Sequence, residues 1–176
     1  RDLHRRRHSF PTRRSSVLTG IKAGIKWPND VLYDGKKLVG ILTEMNAEMD
    51  RINYVVIGMG INVNIAKEDM PESIRDIAAS LMQIANKKIS RVKLLSEILS
   101  ELENEYNKIN ENGFASVINE WKKYSVTLGQ NVKVIGVKET FCGKAVDIDD
   151  YGALLVDTGE KVERVLAGDV SIRPAK

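Results

Sequence analysis

The chain has 176 residues, 43% of them hydrophobic and 29% charged. That balance fits one globular domain, or a domain plus a small module. It excludes a disordered chain, and no apolar run approaches the ~20 residues that a membrane helix needs. The net charge of +3 is a composite: residues 1–16 hold six arginines and one acid, for +5, while the rest carries 21 basic against 23 acidic residues, or −2. Both histidines, His4 and His8, lie in that basic leader, so histidine acid–base or metal chemistry is excluded from the remainder. The single Cys142 excludes an internal disulfide, leaves no cysteine zinc cluster, and fits a reducing cytoplasm.

Residues 1–16 show no helical or strand period and lack the apolar segment of a secretory signal. The leader is expected to be disordered or non-native rather than a DNA-binding arm, although Arg5-Arg6-Arg7 would attract nucleic acid. Val17 to Ala23 reads as a helix tail stopped at Gly20.

The densest signals lie between Ile25 and Asn64. Lys26-Trp27-Pro28-Asn29-Asp30 predicts a set turn at a strand end, because Pro28 fixes φ and removes a donor. Asp34-Gly35 predicts a tight hairpin between Val31–Tyr33 and a strand over Lys36 to Met45. A polar turn follows at about Asn46 to Arg51. Tyr54-Val55-Val56-Ile57 is a continuous apolar run, the pattern of a strand covered on both faces. Gly58 and Gly60 then let backbone approach a strand or a ligand closely, with the amides of Asn62 and Asn64 at the same edge. A cation, two glycines and amides on a rigid sheet suit an anionic ligand. Spacing alone leaves the bland alternative open, since a lysine before an apolar strand is usually a solvated charge. Gly-x-Gly here also lacks the third glycine of a dinucleotide fingerprint.

Downstream, Pro71 with Ile74, Ile77, Ala78 and Leu81 predicts a short amphipathic helix. Ser90 caps the next helix, whose core stripe is read as Leu95, Ile98, Leu102, Tyr106 and Ile109, ending at Asn112-Gly113. Phe114, Val117, Ile118, Trp121 and Tyr124 mark a third. From Leu128 the period shortens. Strands are predicted over 132–135, 140–148, 153–157, 161–166 and 170–173, with glycine turns between several of them, which suggests a small barrel.

Three blocks carry a resemblance to a known family. Lys26-Trp27-Pro28-Asn29-Asp30, Gly40-Ile41-Leu42-Thr43-Glu44 and Gly58-Met59-Gly60-Ile61-Asn62 closely resemble, in order and spacing, the catalytic core of biotin protein ligases. The ending Leu166-Ala167-Gly168-Asp169-Val170-Ser171 resembles their SH3-like C-terminal domain. The likeness runs from about Thr19 to about Pro174. It implies an α+β fold: a mixed or antiparallel sheet with helices over 17–126, then a small all-β SH3-like barrel over 127–176. The family's glycine- and arginine-rich loop and much of its biotin ring pocket precede this stretch. The expectation is therefore a ligase truncated at its N-terminal side and poorly active by itself.

The resemblance implies ATP and biotin as substrates, with Mg²⁺, and formation of biotinyl-5′-adenylate. Transfer follows to a lysine on the biotin carrier domain of acetyl-CoA carboxylase or a similar carboxylase. It assigns Lys26 to the carboxylate and α-phosphate oxygens, with Gly58 and Gly60 beside the ligand. Gly40 and Ile41 are assigned to the biotin side, and Asn62 to phosphate or its metal. No protein cluster for a metal is expected. Asn29 and Asp30 stand between a site role and a structural one. A cytoplasmic location is implied, with no membrane partner and no DNA-binding domain in this chain; a homodimer is admitted. Two other readings remain: a lipoate-type acyl ligase, and a non-enzymatic module binding nucleic acid through the leader.

Overall fold

The computed structural model describes residues 21–48, 51–136, 139–168 and 170–175. The basic leader and the helix tail up to Gly20 lie outside the described residues.

The fold is α+β. Strands β1 (Gly24–Lys26), β2 (Asp30–Tyr33), β3 (Lys36–Glu48) and β4 (Arg51–Ile61) form an antiparallel sheet in sequential order. Between β1 and β2 the chain turns through Trp27–Asn29, as the proline predicts. Asp34 and Gly35 make the β2–β3 hairpin with φ of 48° and 74°, the pair of positive values that such a two-residue turn demands. A 3-10 turn (Glu72–Ile74) and helices α1 (Leu81–Ala85), α2 (Arg91–Asn112) and α3 (Ala115–Tyr124) follow. Strands β5 (Asn131–Gly136), β6 (Thr140–Ile148), β7 (Leu154–Asp157), β8 (Val162–Val165) and β9 (Val170–Pro174) close the chain as an antiparallel sheet in the order β8-β7-β6-β5-β9. These five lie within about a residue of their predicted spans, because alternation and glycine turns are local signals.

Two apolar clusters hold the chain together. Leu38, Leu81, Leu94 and Ile21 form one, under the first sheet. Val132, Val134, Ala145, Ile148, Leu154, Val156, Val165 and Ile172 form the other, inside the second sheet, together with Trp27 and Ile118 from outside it. The barrel's core therefore contains a side chain from the Lys26-Trp27-Pro28 turn.

Three expectations are corrected. The helix expected over 71–81 is a single 3-10 turn, and Leu81 opens a separate helix capped by Ser80, whose hydroxyl accepts from the Gln83 N–H. The Ser80 cap interrupts the period that joined Ala78 to Leu81. On α2 the Ser90 cap is present, but Leu94, Glu101 and Glu105 are buried whereas Leu95, Leu102 and Tyr106 are exposed. Periodicity identifies an apolar face but not which neighbour reaches it. Tyr54 to Ile57 is exposed on both faces rather than covered. β2 pairs with β3 only as far as Gly40, and beyond that row β3 and β4 have no other strand partner among the described residues.

The β6–β7 turn is organised by one carboxylate. Asp149 Oδ1 accepts from the N–H groups of Tyr151 and Ala153, at 2.9 Å each, and Oδ2 accepts from Arg164 Nε at 2.5 Å. The Arg164 hydrogen bond, aided by the two backbone donors, holds the Asp149 carboxyl below its ordinary range. A depressed folded-state pKa means stability that is present above the unfolded aspartate value, about 4, and lost as pH falls through the lower folded value. Acid melts of the wild-type chain should therefore show a steeper loss of stability below about pH 4 than those of Asp149→Asn. Equal slopes would remove Asp149 from the acid response.

Candidate functional site

β1, β2, β3 and β4 place four residues on one rung. Lys26 pairs with Asp30, Asp30 with Gly40, and Gly40 with Gly60. Residues directly opposite in an antiparallel sheet share a face, so this row crosses the whole sheet on one side. At about 4.8 Å per strand it spans roughly 14 Å. Gly58 joins the same face one step along, opposite Leu42.

Lys26 is fixed at the backbone on both sides. Val126 N–H donates to Ile25 O at 2.9 Å, and Trp27 N–H donates to Thr127 Oγ1 at 2.9 Å. Trp27 is 3% exposed, and its Nε1–H donates to Gly152 O at 2.9 Å. Alternation then puts Lys26 on the face opposite to Trp27. Among the described residues its ammonium has neither an ion-pair nor a hydrogen-bond partner. Among the described residues the cation is held at its root and free at its tip.

The glycines are not required by the chain's own packing. None of the three has a positive φ. A Cβ at Gly58 or Gly60 would meet nothing nearer than 3.8 Å, an ordinary contact. At Gly40 it would meet the Cε and Nζ of Lys37 at 2.9 and 3.0 Å, the movable end of a flexible side chain. The glycine strip is therefore not dictated by the sheet's own packing.

The remaining residues divide. Asn29 ties the turn to β3: its carbonyl accepts from Ile41 N–H at 2.9 Å, and its Nδ2 donates to Ile41 O at 2.5 Å. Asp30 Oδ1 pairs with Lys37 Nζ at 2.5 Å. Ile41 pairs with Met59 and directs its side chain to the opposite face from Gly40, so the structure does not bring these two side-chain positions together. Asn62 lies just past the row, with Nδ2 3.5 Å from Lys37 O and its backbone held by Leu38 and Leu81. Asn64 is committed elsewhere, exchanging two hydrogen bonds with the backbone of Ile89. An apolar cavity of about 260 Å³, lined by Ile61, Val63, Ile65, Arg91, Leu94, Leu95 and Ile98, lies between the end of β4 and α2. It contains no residue of the row, which lies on an open sheet face. Lys37 and Thr127 escaped the sequence reading. Lys37 looked like ordinary polar content of a strand, and Thr127 is 100 residues from its partner.

Comparisons with known proteins show the family. Residues 11–62 match the biotin/lipoate A/B protein ligase family, and residues 127–173 match the biotin protein ligase C-terminal domain. The bifunctional ligase/repressor BirA of Bacillus subtilis is 44% identical over 153 residues, covering 87% of this chain and 47% of that protein. A biotin–acetyl-CoA-carboxylase ligase of Mycobacterium tuberculosis is 36% identical over 150 residues, covering 85% and 53%. The chain thus spans about half the length of the curated relatives it matches. Among solved structures, apo biotin protein ligase from Aquifex aeolicus superposes with a TM-score of 0.81 at 30% identity, covering 94% of this chain and 71% of that one. The same enzyme in complex with biotin and ATP gives 0.80. On these matches, which reach both sheets, the chain belongs to the biotin protein ligase family.

Proposed function

We propose that this chain carries the anion-binding side of a biotin ligase site, which activates biotin with ATP and passes it to a protein lysine. The observation that carries the reading is the row itself: a backbone-fixed ammonium with no partner among the described residues at one end, and glycines 40, 58 and 60 beyond it. In the first step a biotin carboxylate oxygen bonds to the α-phosphorus of ATP, the α–β bridging bond breaks, and pyrophosphate leaves. Both reactants are anions, so a fixed cation between them lowers the barrier. Lys26 takes that role. In the second step a lysine amine of the biotin carrier domain attacks the acyl carbon. An amide forms, AMP leaves with the bonding electrons, and the amine loses a proton. The carrier belongs to acetyl-CoA carboxylase or a similar carboxylase, in the cytoplasm.

The glycine strip gives the flat ligand a floor, and Asn62 lies at its phosphate edge. Mg²⁺ would arrive with the nucleotide. Among the described residues no three His, Cys, Asp or Glu side chains converge on a metal position. The biotin reading is favoured over a lipoate-type one by the C-terminal match at 127–173. We divide the chain accordingly at residue 127.

Gly60→Val tests the floor. Valine suits an exposed strand, so stability should hold or rise by up to about 1 kcal/mol. The rise in melting temperature produced by biotin plus ATP should vanish, because the side chain fills the ligand's place. A variant that still responds to both ligands like the parent would refute the floor.

A further inference from the structure

We propose that Thr127 is a positioning residue for Lys26: its hydroxyl, at the entry to the second sheet, fixes where the ammonium stands while biotin is activated. The proposal rests on the reading of Lys26 above and adds to it a residue that touches no ligand.

The first support is the seam beside β1. After α3 the chain runs alongside β1, with Ser125 bridged to Ile25 in parallel and Val126 N–H on Ile25 O. A continued parallel ladder would offer the N–H of Trp27 a main-chain carbonyl. The chain is by then turning into the barrel, and the Thr127 hydroxyl takes the carbonyl's place at 2.9 Å. Thr127 is 4% exposed, so removing the hydroxyl leaves a buried N–H unpaired.

The second support is that the seam is cut to fit. A Cβ on Gly24 would lie 2.2 Å from Val126 Cγ1, a distance that real Cβ atoms do not adopt. Val126 is branched at Cβ and has little freedom to give way. Gly24 has no positive φ, so it is the approach of Val126 that calls for a glycine. Gly24 and Lys26 point to the same face of β1. Val126 therefore seats the seam on the lysine's own face, two residues from it.

The third support is the stiffness behind Thr127. Ser125 Oγ accepts from the N–H groups of Thr127 and Leu128, at 3.2 Å each. Thr127 O accepts from Gln130 N–H at 3.2 Å. Gly129 N–H donates to Ala145 O at 2.7 Å, and Ala145 N–H to Gln130 O at 2.9 Å. Ala145 is fully buried in the barrel core. The hydroxyl is thus anchored to β6, and the position of Lys26 is set from the barrel. On its other side β1 pairs with β2 through only three residues, a short hold. A shift of about 1 Å in a reacting group can cost on the order of 10²-fold in rate.

The test uses a full-length biotin ligase carrying this sequence and two half-reactions. One is biotin-dependent exchange of pyrophosphate into ATP, in which Lys26 acts. The other is transfer to a carrier domain from added biotinyl-5′-adenylate. Thr127→Val should slow exchange about tenfold or more and leave transfer almost unchanged. Thr127→Ser, which keeps the hydroxyl, should restore exchange. In the Lys26→Met background Thr127→Val should add nothing, because a residue that acts through another has no effect once the other is gone. A bond that merely holds the fold would lower both half-reactions together, and would lower exchange by the same factor in either background. Either result overturns the proposal, as does exchange at the parent rate in Thr127→Val. If valine prevents folding, Thr127→Cys, whose sulfur is a weak acceptor, takes its place with the same expected pattern and the same overturning results. Lys26→Met alone separates the two levels: exchange at the parent rate there means that the reading of Lys26 fails and takes this proposal with it.

Discussion

Replacing Trp27 by alanine is expected to destabilise the chain by about 3–5 kcal/mol, a large part of what a domain of this size possesses. The side chain is 3% exposed and packs among Val132, Val134, Leu154 and Val156, so its removal opens a large void in the barrel core. Gly152 O also loses its indole donor. The loss is not confined to the barrel, because the same residue is the backbone neighbour of Lys26 and closes the edge of β1. Trp27→Phe separates the effects: it keeps most of the packing and removes the Nε1–H, for a loss of about 1 kcal/mol. Urea unfolding followed by amide signals in both sheets is the measurement. An alanine variant as stable as the parent would show that the two halves do not share this residue as a structural centre.

That shared residue marks the limit of what could be read from residues in order. Asp34-Gly35 predicts its hairpin because positive φ is a property of those two residues. Ser90 predicts its cap because the bonded N–H is three residues away. The barrel strands are legible for the same reason. Trp27 could be recognised as part of a motif, but its destination lies 100 residues on at Thr127 and 125 on at Gly152. The apolar run Tyr54 to Ile57 shows what a strand can bury, not what covers it. The stripe on α2 fails likewise: Leu95, Leu102 and Tyr106 are a correct apolar face turned to solvent, while Glu101 and Glu105 lie inside.

The site divides along the same line. Lys26, Gly40, Gly58, Gly60 and Asn62 stand out by type and by resemblance. That Lys26, Gly40 and Gly60 share one rung depends on register, which spacing does not specify. Ile41 is the converse: its neighbour Gly40 suggested a shared role, yet strand alternation sends the two to opposite faces.

In a full-length biotin ligase carrying this sequence, Lys26→Met should lower biotin-dependent exchange of pyrophosphate into ATP by on the order of 10²-fold or more, in the range seen when a positioned charge donor is removed. Stability should be almost unchanged, since the ammonium has no partner among the described residues to lose. The stem is half-buried, and methionine fills nearly the same space. Lys26→Arg should not restore the rate. A guanidinium spreads its charge over a planar fork, whereas two anions that must approach each other need a compact charge between them. The backbone clamps at Ile25 and Trp27 also fix where the chain begins, so the longer arginine overshoots the position that lysine reaches. Loss in both variants with unchanged melting temperatures is the expected pattern. Exchange near the parent rate in Lys26→Met would take Lys26 out of the chemistry and leave the row as no more than a sheet face with small residues on it.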